Sequence, residues 1–91
     1  MTRREVVIGH RLGLHARASA ELVRLSAKFR SDIRITRPDR GPDAEADARS
    51  ILAVLLLAAG YGTLVEVRAE GEDEQEAVHA VCDYLEGPAS G

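Results

Sequence analysis

Nine consecutive apolar residues, Ile51 to Ala59, stand between Ser50 and the glycines Gly60 and Gly62 in a chain of 91 residues. A helical bilayer span needs about 20 such residues, so stable membrane insertion is not expected of this run. It suits a short helix, with Ser50 as the residue that opens it, because a serine hydroxyl oxygen can accept from an N–H that a helix start leaves unpaired. A single domain of this size can bury only a modest core. A helix resting on a sheet hides one side, and this one is apolar all round. Val54 and Leu57 therefore read as core, while Ile51, Leu52 and Leu55 read as an exposed patch of the kind that marks a partner surface.

The segments around this run change period in an orderly way. Arg4 to Ile8 reads as a first strand and Gly9 to Leu14 as a loop with two glycines. From about Ala16 to Lys28, Ala18, Leu22, Leu25 and Phe29 recur at spacings of four, three and four, with Arg17, Glu21, Arg24 and Lys28 opposite, which predicts an amphipathic helix. Ser31 to Thr36 alternates polar and β-branched residues as a half-buried strand does. Arg37 to Ala48 carries Pro38, Gly41 and Pro42 and reads as a loop holding at most a short, frayed edge strand. Thr63 to Glu70 alternates again, with Val65, Val67 and Ala69 inward. A last helix is expected from near Glu72, with Ala77, Val78, Val81, Cys82 and Leu85 as its buried stripe; Glu72, Asp73, Glu74 and Glu76 suit the positive end of its dipole. Residues 1–86 form the domain in this reading, and 87–91 a flexible tail. Strand, helix, strand, possible strand, helix, strand, helix is an α+β order, with helices on one face of an antiparallel sheet.

Several function classes are excluded at this level. A net charge of −3, a pI near 5.6 and only Phe29, Tyr61 and Tyr84 as aromatic residues argue against a nucleic-acid partner. Met1-Thr2-Arg3-Arg4-Glu5 leads straight into Val6 without a signal peptide, so the cytoplasm is the expected compartment. The single cysteine, Cys82, lies on the last helix's apolar stripe and reads as a small buried hydrophobe. His10 reads as a solvated loop histidine, with bordering the phosphate site as its alternative, and His79 as outward-pointing, and neither joins His15 in a zinc pattern. No metal or cofactor is expected.

The chemistry is expected at Gly13-Leu14-His15-Ala16-Arg17-Ala18-Ser19. His15 falls where the loop becomes the first helix, among leading N–H groups without intrahelical partners and at the dipole's positive end, a setting that attracts anions. That field favours a neutral imidazole with a free lone pair, as a nitrogen nucleophile requires. A phosphate on His15 could be held by the backbone of Ala16 and Arg17 and by the Arg17 guanidinium, which could also stabilise charge during transfer. For an isolated His-x-Arg pair, a surface histidine acting as a weak cap is the better reading.

Gly13-Leu14-His15-Ala16-Arg17, Arg49-Ser50-Ile51-Leu52 before the apolar run, and Ala69-Glu70-Gly71-Glu72-Asp73 near the end together resemble the histidine-containing phosphocarrier family HPr of the bacterial phosphotransferase system. The similarity runs from about Arg4 to Leu85. It implies an open-faced sandwich of four antiparallel strands, the third short or frayed, with three helices on one face. It implies phosphorylation of His15 on Nδ1, with Arg17 as the phosphate's partner. It also implies docking through Ala20, Arg24, Ile51, Leu52 and Leu55 on enzyme I and on sugar-specific acceptor proteins of the EIIA type. The chain would then act as a monomer and a phosphoryl carrier rather than as a free-standing enzyme. Two departures are visible: Ala18 stands where the family usually has proline, and the connection from Ile35 to Ser50 is a few residues longer than usual. In Gram-positive relatives the serine matching Ser50 is phosphorylated by an HPr kinase, so Ser50 carries both a capping and a regulatory reading. Two other functions stay in view, a regulatory carrier of a nitrogen-related or dihydroxyacetone-kinase-linked system and a small acyl-phosphate hydrolase.

Overall fold

The computed structural model describes residues 1–87. Its elements are β1 (Thr2–Val7), α1 (Ala16–Ser26), β2 (Asp32–Thr36), a 3-10 turn (Pro38–Arg40), β3 (Glu45–Asp47), α2 (Ile51–Leu57), β4 (Leu64–Glu70) and α3 (Glu74–Glu86). The strands form one antiparallel sheet in the spatial order β1-β4-β2-β3. Alternation sets its two faces. Val6, Val65, Val67, Ala69, Ile33, Ile35 and Ala46 are all buried, in one core with Leu22 of α1, Val54 and Leu57 of α2, and the stripe Ala77, Val78, Val81, Cys82 and Leu85 of α3. The other face carries Arg3, Glu5, Arg34, Glu66 and Arg68 and stays open. This is the expected α+β open-faced sandwich.

Element ends differ from the expected ones by a turn or less. The first strand begins earlier, because Thr2 already pairs with Ala69. The first helix ends at Ser26, and its buried line runs in steps of four through Ala18, Leu22 and Ser26, so Leu25 is only half-buried and Phe29 packs on the core from beyond the helix. The third strand exists and has three residues; Ala46 and Ala48, within the segment read as loop, reach the core. Arg37, at the start of that segment, donates from Nη1 to the Leu57 and Ala58 carbonyls at 2.9 Å each. A cation thereby meets the negative end of α2, where Ala58 turns left-handed with φ of 51°. Of the tail expected over residues 87–91, Gly87 follows α3 and residues 88–91 lie outside the described residues. Cys82 is fully buried, and that burial pushes its thiol up; His79 is exposed.

Of the acidic cluster, Glu74 and Glu76 stand in the first turn of α3 as expected, and Asp73 and Glu74 take tertiary partners as well. The α3 helix starts at Glu74, and the Asp73 carboxylate accepts from the Arg30 N–H at 2.9 Å, the Ser31 N–H at 3.0 Å and the Ser31 hydroxyl at 2.6 Å, fastening the entry to β2. These bonds hold its carboxyl below the usual range. Glu74 accepts from the Thr2 hydroxyl at 2.6 Å and meets the Met1 amino group at 3.0 Å, tying β1 to α3. The Thr2 bond first, then the amine, lowers its carboxyl from 4.5 to about 2. A carboxylate with a depressed folded pKa stabilises fully above its unfolded value and stops doing so as pH falls through the folded one. Wild-type stability is therefore expected to decline faster than that of Glu74→Gln between pH 4.5 and about 2, as read by urea unfolding at a series of pH values. Parallel declines would remove Glu74 from the account.

Candidate functional site

His15 is the N-cap of α1, with φ of −72° and ψ of −178°. Its carbonyl accepts the first helical bond, from the Ser19 N–H at 2.8 Å, and its side chain does what serine or aspartate usually does there: Nδ1 accepts from the Arg17 N–H at 3.2 Å. An Nδ1 that accepts carries a lone pair and no proton, which places the ring proton of the neutral form on Nε2. The ring is half-exposed, and Ala16 and Arg17 beside it are exposed. Just before it, the buried Ser19 hydroxyl donates to the Leu14 carbonyl at 2.9 Å and fixes the approach of the chain.

Two glycines seat the loop. Gly13 has φ of 69°, and a Cβ there would lie 2.7 Å from the Ala59 carbonyl oxygen and from Gly60 Cα. The close approach lets the Leu14 N–H reach the Ala59 carbonyl at 2.9 Å, so His15 stands beside the end of α2. At the loop's other end the Gly9 N–H donates to the Leu85 carbonyl at 2.9 Å, and a Cβ on Gly9 would fall 1.7 Å from the Glu86 carbonyl oxygen. His10 is consequently not the solvated loop histidine expected. It is half-buried, with Nε2 2.6 Å from the Tyr84 carbonyl oxygen and its ring 4.8 Å from the Tyr84 ring. The loop packs on α3, which leaves this side chain little open water.

Beyond His15 lies a shallow groove of about 970 Å³ lined by His10, Arg11, Leu12, His15, Tyr61 and Glu86. Leu12 and Tyr61 are 79% and 68% exposed. Neither was expected as part of the site, although a leucine between Arg11 and Gly13 in a polar loop is a visible signal. On α2, the Ser50 hydroxyl oxygen accepts from the Ala53 N–H at 3.2 Å. Val54 and Leu57 are buried as expected, and Ile51 and Leu52 are exposed. Leu55 is only half-buried, and Leu56, one position on, takes the outward place at 69% exposure, since steps of four from Leu52 set that line. Ala20 is half-exposed and Arg24 exposed on α1, which packs against α2. Among the described residues no helix is long and apolar enough to cross a membrane.

Residues 2–87 match the family model described as "PTS HPr component phosphorylation site". The chain belongs to the HPr family. It is 42% identical over 86 residues to the phosphocarrier protein HPr of Xylella fastidiosa strain 9a5c, covering 94% of this chain and 92% of that protein. It is also 35% identical over 83 residues to the phosphocarrier protein NPr of Shewanella violacea, covering 91% and 87%. Among solved structures, the crystal structure of HPr-C-His from Thermoanaerobacter tengcongensis superposes with a TM-score of 0.84 at 34% identity, over 94% of this chain and 92% of that one. The HPr fold and the role of phosphocarrier in the phosphotransferase system follow for this chain. The α1 start, the loop seated by Gly13 and the apolar α2 are the parts of this HPr fold that surround His15.

Proposed function

We propose that His15 takes a phosphoryl group on Nδ1 from a phosphohistidine of enzyme I and passes it to a sugar-specific acceptor protein of the EIIA type. The observation that carries this reading is the Arg17 N–H bonded to Nδ1: it marks that nitrogen as the one with the lone pair and places a donor where phosphate oxygens would arrive. In the transfer, the Nδ1 lone pair forms the new N–P bond while the N–P bond of the donor breaks and its imidazole leaves with the electron pair. The Nε2 proton stays on His15. The Arg17 N–H, released from the ring, can then donate to a phosphate oxygen, with the neighbouring Ala16 N–H and the Arg17 guanidinium adding charge stabilisation. The positioned nucleophile and these donors suffice without a metal. The carrier works as a monomer in the cytoplasm in this reading, docking in turn on both partners through Ala20, Arg24, Ile51, Leu52 and Leu55, beside which Leu56 is exposed on α2.

Incubation with enzyme I and phosphoenolpyruvate should yield one phosphate per chain that is lost in acid. An acid-stable phosphate, or turnover of an acyl phosphate by the protein alone, would replace the carrier reading with another. Leu52→Asp puts a charge into the patch without touching the core and is expected to weaken enzyme I binding about tenfold or more in a calorimetric titration. Equal affinity would take α2 out of the docking surface. We read Ser50 as a helix cap; a phosphate on its hydroxyl by an HPr kinase would set negative charge beside Leu52 and oppose docking. The NPr relative favours a second reading, a regulatory carrier with the same His15 chemistry and different partners. Comparing phosphorylation rates with the enzyme I of each system separates the two.

A further inference from the structure

We propose that Tyr84 is a positioning residue for His15, gripping from α3 the chain segments on both sides of it. The inference rests on the phosphocarrier reading above. Before His15, the Tyr84 carbonyl oxygen lies 2.6 Å from His10 Nε2, and the two ring centroids are 4.8 Å apart with the planes tilted by 39°. After His15, the Tyr84 hydroxyl is 3.3 Å from the Ala18 carbonyl oxygen and 2.7 Å from Glu21 Oε1, both on α1. The single hydroxyl proton goes to the nearer Glu21 carboxylate, so one residue of the last helix holds His10 and Glu21, five residues before and six after the ring that caps α1.

The arrangement is more than ordinary packing. The α3 stripe Val78, Val81, Cys82 and Leu85 rests on the sheet, while Tyr84 is half-buried, packs on the edge of the core and reaches His10 and Glu21. Its hydroxyl is a donor at neutral pH like any tyrosine's, and burial first, then the Glu21 carboxylate, raises its ionisation further. The hydrogen bond from Tyr84 lowers the Glu21 carboxyl in turn, so the pair keeps its polarity across the working range. The Tyr84 carbonyl also accepts from the Gly87 N–H at 3.1 Å, so the contact to His10 is made at the last turn of α3. A nucleophile must meet phosphorus at a set angle and distance, and a shift of about 1 Å can cost on the order of a hundredfold. A grip on both flanks limits that shift.

Tyr84→Phe removes only the hydroxyl bonds, and Tyr84→Leu removes the ring as well. Val81→Ala, in the α3 stripe, is the comparison that lowers stability without touching the loop. Single-turnover phosphorylation by enzyme I and the ¹⁵N shifts of the His15 ring are the readouts, both at temperatures where every variant is folded. Tyr84→Leu is expected to slow transfer about tenfold and Tyr84→Phe a few-fold, each moving the ring shifts away from the Nδ1-acceptor pattern, while Val81→Ala leaves both near wild type. Wild-type rates and shifts in both Tyr84 variants, or equal slowing in Val81→Ala, would overturn the proposal. If the wild-type protein takes no phosphate, the carrier reading fails, and unchanged ring shifts in Tyr84→Leu would still overturn the positioning role on their own.

Discussion

His15→Ala is expected to accept no phosphate from enzyme I while keeping the fold. The first half follows from chemistry, since the substitution removes the lone pair that the Arg17 N–H marks on Nδ1, and His10, the other imidazole of the groove, is bound to α3. The second half follows from geometry. The capping bond is long at 3.2 Å, and losing an N-cap costs about 0.5–2 kcal/mol, so the low end applies and circular dichroism should be unchanged. Mass spectrometry of the intact chain after incubation with phosphoenolpyruvate and enzyme I reads the outcome. Labelling that persists in the variant would move the acceptor elsewhere. Arg17→Ala makes the useful contrast, because its backbone N–H still caps the ring and only the exposed guanidinium is lost. A hydrogen bond to a charged group is worth about 1.5–3 kcal/mol, so a slowing of about ten- to a hundredfold is expected in rapid-quench transfer; an unchanged rate would remove the guanidinium from the mechanism.

Leu22→Ala carries the largest expected loss of stability. Leu22 is fully buried at the middle of α1, in the core that also takes Val54 of α2 and the inward valines of β4. Truncating such a leucine costs about 2–5 kcal/mol, against a total of about 5–15 for a domain. The midpoint of urea unfolding should fall accordingly with an unchanged slope. A loss below about 1 kcal/mol would mean that α1 is not docked on the sheet at this residue. Because α1 begins at His15, the same variant is expected to lose transfer activity on warming before wild type does.

Much of this was legible in the chain. Alternation at Val65, Val67 and Ala69 set the inward face of the last strand, and the spacing from Ala18 to Leu22 set that of α1. The start of α1 at His15 came from loop glycines followed by helical spacing, and the three family patches supplied the phosphocarrier reading. What stayed hidden has physical causes. A helix apolar at every position offers no amphipathic phase, so Leu55 and Leu56 could not be told apart until the sheet fixed which side faces in. The His10 contact with Tyr84 joins residues 74 apart, and no local pattern encodes such a pairing. Asp73 and Glu74 stand at the start of α3 as read, but their bonds to Ser31 and Thr2 join residues 42 and 72 apart that no local pattern pairs.

The sheet order places β1 against β4, and the loop behind β1 against the end of α3, so the site draws on elements far apart in the sequence. Pairings this far apart close late in folding, after local helices have formed. A nascent chain that has emerged only through α2 already contains His15 and Arg17, yet it lacks the strand that supports β1 and the helix that holds His10. A His15 held ready for phosphate is therefore expected only once β4 and α3 have joined the sheet.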